Sequence, residues 1–231
     1  MPPALRYIGI DLAWKVSPPR HEGTGLCIIE GDGEVSCARS LTTDQEVLDQ
    51  IRCEDIWVGV DAPLRIPPGK SIRNCERDLR SMGMRILPSG REFHQNHYGG
   101  CRGAMLANRM MGMGLEYFGK GRRALYEVYP HAVLRSLPPP PPRYKKGPRS
   151  LREAEAARAL ELLSRWESTL QWSPTMSKVL TRGEGAADRL DALLAAVSLY
   201  RHSLYSGERS LILGDDDDGF LLLPRGWEDD R

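Results

Sequence analysis

Two short apolar segments of the chain each carry an aspartate two residues after a glycine. Residues 5–14 read Leu-Arg-Tyr-Ile-Gly-Ile-Asp-Leu-Ala-Trp, a run of β-forming residues that predicts a strand. Residues 55–62 read Asp-Ile-Trp-Val-Gly-Val-Asp-Ala, and this almost unbroken apolar run is typical of a strand buried on both faces of a sheet. The segments therefore predict two buried strands, one carrying Asp11 and the other carrying Asp61.

The segments around these strands predict a mixed β-sheet covered by helices. A hairpin turn at Gly31-Asp-Gly-Glu is expected to join two early strands, because Gly and Asp tolerate positive φ. The Thr42-Thr-Asp segment offers a hydroxyl that can cap a short helix ending near Arg52. The other predicted elements are strands at 24–30, 34–41, 123–129, 209–213 and 219–223, and helices at 72–82, 104–118, 150–169 and 186–204. The order β-β-β-α-β-α-β-α indicates an α/β fold with a mixed sheet.

Two local signals are expected to set element boundaries. Pro130 is predicted to end the strand at 123–129, because proline has no backbone N–H. Ser150 followed by Glu153 predicts a capping box at the start of the next helix.

Chain length and proline content indicate the domain organisation. The 231 residues suffice for one large domain or two small ones. We interpret them as a single domain, 1–231, with an insertion at about 65–122. The unbroken run Pro138 to Pro142 predicts an extended connector over about 138–149.

Composition narrows the class of protein. An apolar fraction of 41% and a charged fraction of 27% are ordinary for a soluble globular protein. No run of 18 apolar residues is present, so no transmembrane helix is expected. The first residues lack the pattern of a secretory signal, and we expect a cytoplasmic location. The five cysteines form no C-x-x-C pair, which favours free thiols.

Basic residues concentrate in the predicted insertion. Residues 65–123 hold twelve Lys/Arg and four Asp/Glu, although the formal net charge of the chain is +1. Arginines at spacings of four and three share one helix face, and a lysine pair follows the proline run. Such residues can bind nucleic-acid phosphates, or they can form a solvated face with neighbouring acids. The candidates for nucleic-acid binding are Arg73, Arg77, Arg80, Lys145 and Lys146.

Acidic residues form the pattern with the most chemical content. Asp188 and Asp191 lie three residues apart on the predicted 186–204 helix and so share one face. A carboxylate inside an apolar strand is costly to bury without a partner, and a divalent cation suits several converging carboxylates. Singly, Asp188 is more typical of a helix cap and Asp61 of a turn. Together, Asp11, Asp61, Asp188 and Asp191 predict a metal site.

Four further residues could also bind a metal. Glu127 lies within the 123–129 strand and is expected either to reach the carboxylates or to face solvent. His94, His97 and Cys101 have a spacing that zinc could use. However, they lie in a glycine-rich segment without a second pair of ligands, so a structural role is favoured.

The order of strands and acids resembles the ribonuclease H-like fold. It is especially similar to Holliday-junction resolvases, whose last helix carries Asp-x-x-Asp followed by Ala-Leu. The chain is more closely similar to an uncharacterised family of predicted ribonuclease H-like nucleases, domain of unknown function 429. The stretches that carry the resemblance are residues 9–14, 58–64, 73–80, 126–131 and 188–193.

The resemblance implies a nuclease with a carboxylate cluster. The four aspartates would map onto ligands of two Mg²⁺ or Mn²⁺ ions about 4 Å apart, which promote phosphodiester hydrolysis. From its place in the strand at 123–129, Glu127 is a further candidate catalytic residue. Resolvases have Glu where this chain has Asp61, so the metal spacing would differ. Nucleic acid, DNA or RNA, is the implied partner, and a homodimer is the assembly that symmetric cleavage of two strands would need.

Two other classes of protein remain open at this point. Actin-like ATPases and sugar kinases share a related strand order with an aspartate on the first strand. They duplicate the domain, however, for which this chain is too short, and the Gly31-Asp-Gly turn is a weak phosphate cradle. The other class is a non-catalytic nucleic-acid or protein-binding module that keeps the acids as a structural metal site.

Overall fold

A six-stranded sheet forms the centre of the protein. The structure is a computed structural model that describes residues 5–17, 23–84 and 86–226. The strands are β1 (Arg6–Asp11), β2 (Thr24–Ile29), β3 (Val35–Leu41), β4 (Ile56–Val60), β5 (Glu116–Tyr117) and β6 (Arg123–Glu127). Their order in the sheet is β3-β2-β1-β4-β6-β5. The pairs among β1, β2 and β3 are antiparallel, and those among β1, β4, β6 and β5 are parallel.

Helices cover both faces of this sheet. They are α1 (Asp44–Gln50), α2 (Asn74–Ser81), α3 (Arg91–Tyr98), α4 (Arg102–Gly112), α5 (Pro130–Ser136), α6 (Arg149–Trp166), α7 (Pro174–Thr181) and α8 (Ala186–Leu204). The core on one face contains side chains of α5, α6 and α8. The core on the other face contains side chains of α1 and α4. The fold is therefore mixed α/β, with a mostly parallel central sheet between helices.

A separate hairpin packs beside these layers. Strands β7 (Ser210–Asp215) and β8 (Gly219–Pro224) pair with each other in antiparallel fashion. Leu221 and Leu223 of β8 share a small core with Leu79 of α2 and Ala132 of α5. The hairpin thus fixes α2 against the rest of the fold.

Two glycines allow α8 to lie directly on the backbone of the sheet. A Cβ atom at Gly9 of β1 would come within 1.9 Å of the Ala192 carbonyl oxygen, and one at Gly25 of β2 within 2.1 Å of the Asp188 carbonyl oxygen. Any larger residue at either position would therefore push the N-terminal half of α8 away. Gly9, two residues before Asp11, thus allows α8 to pack close to the end of β1.

Most predicted elements are confirmed. The strands at 5–14, 24–30, 34–41, 55–62 and 123–129 correspond to β1, β2, β3, β4 and β6, and the helix at 186–204 has the bounds of α8. The Thr42–Thr43 cap is also confirmed: Thr43 caps α1, and its hydroxyl accepts from the Glu46 N–H at 3.1 Å. Among the described residues, no helix is long and apolar enough to cross a membrane.

Four local expectations differ from the structure. The predicted capping box of α6 is wrong, because the helix already begins at Arg149 and Glu153 accepts from the Arg149 side chain at 2.7 Å. Pro130 does more than end a strand, since it is the first residue of α5. Helix α3 lies in the glycine-rich segment where no element was expected, and α7 was not predicted.

Candidate metal centre

Two aspartates meet at one edge of the sheet because their strands are parallel neighbours. Asp11 is the last residue of β1, and Asp61 directly follows β4. Ile10 pairs with Val60 across these strands, and the Asp61 N–H donates to the Ile10 carbonyl oxygen at 2.8 Å. The two carboxylates therefore leave the sheet at the same level.

A third carboxylate comes from α8. Asp191 lies in the second turn of the helix and is only 5% exposed. One carboxylate oxygen from each of Asp11, Asp61 and Asp191 lies within 4.8 Å of the others. Among the described residues, these three form the group of His, Cys, Asp or Glu side chains that could hold a metal ion. We call them the three-carboxylate group.

The segment after the proline run closes over this group. The Lys145 ammonium forms an ion pair with Asp191 and lies 3.9 Å from the nearest Asp11 oxygen. The hydroxyl of buried Tyr144 donates to the other oxygen of Asp191. Half of the Lys145 side chain remains exposed. Lys145 was predicted as a surface contact for nucleic acid, and the structure places it at the carboxylates.

The electrostatics of the group favour a cation. Burial, followed by repulsion from Asp191, raises the pKa of Asp61 to about 8. Burial and the charges of Asp191 and Asp61 also raise the pKa of Asp11 well above its usual value. Burial opposes the charge of Lys145, but Asp191 and Asp11 outweigh it and raise the pKa of the ammonium. One ammonium therefore only partly offsets three carboxylates.

The donor set fits a hard divalent ion. Carboxylate oxygens are the ligands that Mg²⁺ and Mn²⁺ prefer, and one or two protein carboxylates with water or phosphate oxygens are typical of Mg²⁺. The three-carboxylate group supplies such oxygens from three separate parts of the chain. The Lys145 ammonium already lies against Asp191 and near Asp11, so the group holds a positive charge in this structure.

Comparison with known proteins places the chain in a family. A family model described as "Protein of unknown function (DUF429)" matches residues 9–218. The chain belongs to the DUF429 family. The matched range contains the three-carboxylate group, Tyr144 and Lys145. Comparison of this DUF429 chain with curated proteins and with solved structures finds no match.

Asp188 of the DUF429 chain lies outside the three-carboxylate group. It occupies the first turn of α8 and is partly exposed. It lines a cavity of about 410 Å³ beside the start of α8, together with Tyr144 and Arg149. Burial raises the pKa of Asp188, and Lys145 acts in the opposite direction. The structure thus brings together three of the four aspartates that the sequence predicted as ligands.

Glu127 neither faces solvent nor joins the three-carboxylate group. It is 3% exposed and accepts from both terminal nitrogens of Arg73, at 2.5 Å and 2.8 Å. Its Oε2 also accepts from the Leu64 N–H at 2.9 Å. The expectation that Glu127 alternates toward solvent is wrong, because Arg73 and the loop after β4 cover its side chain.

The basic face predicted on the 72–82 helix is divided between core and surface. Arg73 is buried at the N-terminus of α2, where its side chain is bound by Glu127, Glu76 and Ser89. It is therefore not available to a phosphate on the surface. Arg77 and Arg80 are exposed. Lys146 is also exposed, next to Lys145.

The histidines of this DUF429 protein belong to an aromatic cluster. The His94 ring stacks on Trp14, with centroids 5.1 Å apart, and His97 stacks on Phe93 at 4.2 Å. Within the described ranges, His94, His97 and Cys101 belong to no metal-binding group. The His97 Nδ1 atom is hydrogen-bonded to the Phe93 carbonyl oxygen at 2.9 Å.

Sequence reasoning missed two residues beside the site. Trp14 donates from Nε1 to the Asp61 carbonyl oxygen at 3.3 Å. Tyr144 reaches Asp191 across 47 positions of sequence. The only sequence signal for Trp14 is its place three residues after Asp11. Tyr144 gives no signal, because its contact depends on where the proline-rich segment lies in the fold.

Proposed function

We propose that this protein is a divalent-metal-dependent phosphodiester hydrolase that acts on nucleic acid. The observation that carries the proposal is the convergence of Asp11, Asp61 and Asp191 at the carboxyl ends of two parallel strands. Carboxylates at this edge of a sheet are well placed to meet a ligand, because open α/β sheets bind ligands outside the carboxyl ends of their strands.

Two further observations support this proposal. Three antiparallel strands followed by parallel ones agree with the ribonuclease H-like fold that the motifs resemble. Exposed basic residues are also present, with Arg77 and Arg80 on α2 and Lys146 next to Lys145. Such residues suit a polyanionic substrate.

Under this proposal the three carboxylates hold Mg²⁺ or Mn²⁺. The ion would supply a Lewis acid for the phosphate and an activated water for the attack. Tyr144 fixes the orientation of Asp191 by donating to one of its oxygens. Lys145 would exchange its ion pair with Asp191 for a phosphate oxygen of the substrate, since both are anions within reach of the same half-exposed side chain.

The Arg73–Glu127 pair holds the loop that carries Asp61. Glu127 accepts from the Leu64 N–H, and Arg73 donates to the Arg65 carbonyl oxygen at 3.1 Å. The pair is buried on β6 and α2, so the backbone just after Asp61 is tied to two regular elements. This restricts where the Asp61 carboxylate can lie, which a metal ligand requires.

Calorimetry with Mn²⁺ and Mg²⁺ tests the metal site. We expect wild-type protein to bind the ion, and the variants Asp11→Asn and Asp191→Asn to lose binding by at least about tenfold. Asp216→Asn is a matched control, because Asp216 is exposed on the β7–β8 turn. If wild type shows no binding with or without an oligonucleotide present, the proposal is wrong.

Cleavage assays then separate an enzyme from a binding module. Single-stranded and duplex DNA and RNA and a four-way junction would be incubated with Mg²⁺, with Mn²⁺ or with EDTA. Metal-dependent cleavage that Asp11→Asn and Asp191→Asn abolish supports the hydrolase. Metal binding without cleavage of any substrate would instead indicate a structural metal site, which is the second candidate because Lys145 and Tyr144 hold Asp191 within the fold.

A further inference from the structure

A second cavity opens beside Asp61. Its volume is about 210 Å³, and Trp14, Asp61, Leu79, Ile86, Tyr129 and Leu221 are among the residues that line it. These residues come from the segments after β1, β4 and β6, from α2 and the segment after it, and from β8. Asp61 thus belongs both to the cavity and to the three-carboxylate group.

The walls of this cavity suit a flat, mostly apolar ring. Binding sites for small molecules are typically lined by apolar and aromatic side chains with a few polar groups. An apolar cavity of about 150 Å³ is enough to hold a benzene molecule. A volume of about 210 Å³ therefore has room for one nucleobase but not for a stacked pair.

Trp14 is held as a rigid platform at the cavity wall. Its ring stacks on His94 with an interplanar angle of 27° and meets the edge of Tyr98 at 79°. His94 is 3% exposed, and neither of its ring nitrogens has a hydrogen-bond partner within the described part of the chain. Burying these nitrogens without hydrogen bonds costs free energy. The stacking contact with Trp14 offers a reason why a histidine is buried here.

The charges of the cavity exclude a phosphate group. Its charged lining residues in the described ranges are Asp61, Glu76 and Glu127 against the single guanidinium of Arg73. Arg73 is already bound to both glutamates. The net negative charge of the lining would repel an anionic group, whereas it would not repel a neutral ring.

We propose that this cavity receives the unpaired base of the nucleotide whose phosphate lies at the three-carboxylate group. The inference rests on the proposed function and deepens it, because it makes single-stranded or locally unpaired nucleic acid the substrate. A base inside a duplex is stacked between its neighbours and paired with its partner, so it must leave the helix to enter the cavity. Stacking on an aromatic side chain offsets this cost and tolerates any base sequence.

Mononucleotide binding tests the cavity without requiring cleavage. Calorimetry in the presence of Mg²⁺ would compare AMP and CMP with ribose 5-phosphate, which lacks the base. We expect both nucleotides to bind at least about fivefold more tightly than the sugar phosphate, and Trp14→Ala to remove that difference. Equal affinity for all three ligands would overturn the inference, because the base would then contribute nothing.

An abasic substrate tests the same cavity during turnover. A single-stranded oligonucleotide would carry an abasic position next to the cleaved phosphate, and the ratio of cleavage rates on intact and abasic strands would be measured. We expect a ratio above about five for wild type. Leu87→Glu should bring it toward one, since Leu87 lines the cavity and is 55% exposed, so its replacement leaves the core intact.

The control and the possible outcomes separate the two proposals. Leu204→Glu adds the same charge at a similarly exposed leucine near the far end of α8 and should keep the wild-type ratio. Cleavage with a ratio of one overturns the base pocket and leaves the hydrolase standing. Base-dependent binding of AMP and CMP without cleavage of any oligonucleotide supports the pocket and contradicts the hydrolase.

Discussion

At the scale of single residues, the buried position of Asp61 lowers the stability of the metal-free protein but suits the binding of a cation. Burial and Asp191 raise its pKa to about 8, far above the ordinary value of 3.8. The folded protein therefore holds the Asp61 proton more tightly than the unfolded chain does. Stability consequently falls as the pH rises from about 4 toward 8. A side chain that is costly for the fold at neutral pH is typical of a site kept for binding.

The substitution Asp61→Asn is expected to stabilise the metal-free protein at high pH. Asparagine cannot ionise, so the repulsion with Asp191 disappears. In EDTA at pH 9 we expect a gain of about 1 kcal/mol, or a rise in Tm of about 2–4 °C. At pH 5 the gain should be smaller, because wild-type Asp61 is then protonated. Thermal unfolding at both pH values measures this, and an equal or negative effect at pH 9 would contradict it.

Glu127 shows how a buried acid can resemble a ligand and serve another purpose. Its partner Arg73 is 3% exposed and would be left without its main counter-charge in Glu127→Gln. Breaking a buried ion pair in this way costs about 3–5 kcal/mol. We expect a clear loss in Tm and a loss of Mg²⁺ affinity smaller than that of Asp11→Asn, because Glu127 helps to position Asp61 without binding the ion itself. A loss of metal binding comparable to that of Asp11→Asn would instead make Glu127 a ligand.

At the scale of elements, the site depends on how closely α8 approaches the sheet. Gly9→Ala places a methyl group 1.9 Å from the Ala192 carbonyl oxygen, a backbone atom that cannot rotate away. The helix must shift, and Asp191 shifts with it. We expect a loss of about 1–3 kcal/mol or more in stability and weaker Mg²⁺ binding, measured by denaturant unfolding and calorimetry.

Gly112→Ala provides the matched control for this prediction. Gly112 ends α4, and a Cβ atom there would meet nothing within 4 Å. Alanine is the better helix former, so the variant should be neutral or more stable by up to about 1 kcal/mol. If Gly9→Ala behaved like Gly112→Ala, α8 would not be held by its contact with β1.

The same elements show what sequence can and cannot predict. Apolar runs and helical spacing were sufficient for β1, β4 and α8, because local periodicity reflects burial on a sheet or helix face. Parallel pairing of two strands then brings Asp11 and Asp61 together. The exclusion of Asp188 from the group and the pairing of Arg73 with Glu127 depend on side-chain positions set by distant packing. The place of Lys145 depends on the path of a proline-rich segment that has no periodicity.

At the scale of the whole molecule, the three-carboxylate group links parts of the chain that are far apart in sequence. A bound divalent ion would join β1, the loop after β4 and α8, so metal binding should stabilise the fold as a unit. At a Mg²⁺ concentration of 100 times its dissociation constant, linkage gives about 2.7 kcal/mol. We therefore expect Mg²⁺ to raise Tm in wild type and to raise the Tm of Asp191→Asn by at most about half as much.

Mg²⁺ should stabilise the fold as a whole but loosen the segment around Lys145, because the two cations compete for Asp191. Both cations bind Asp191, so the ion should release the ammonium while it tightens the rest of the fold. Limited trypsin digestion followed by mass spectrometry can measure both effects. We expect Mg²⁺ to speed cleavage after Lys145 and to slow or leave unchanged cleavage after Arg52, an exposed residue just beyond α1. Protection at Lys145 would mean that its ammonium stays with Asp191 when the metal binds. The carboxylate would then be shared between the two cations, and Lys145 would not be free to meet a phosphate.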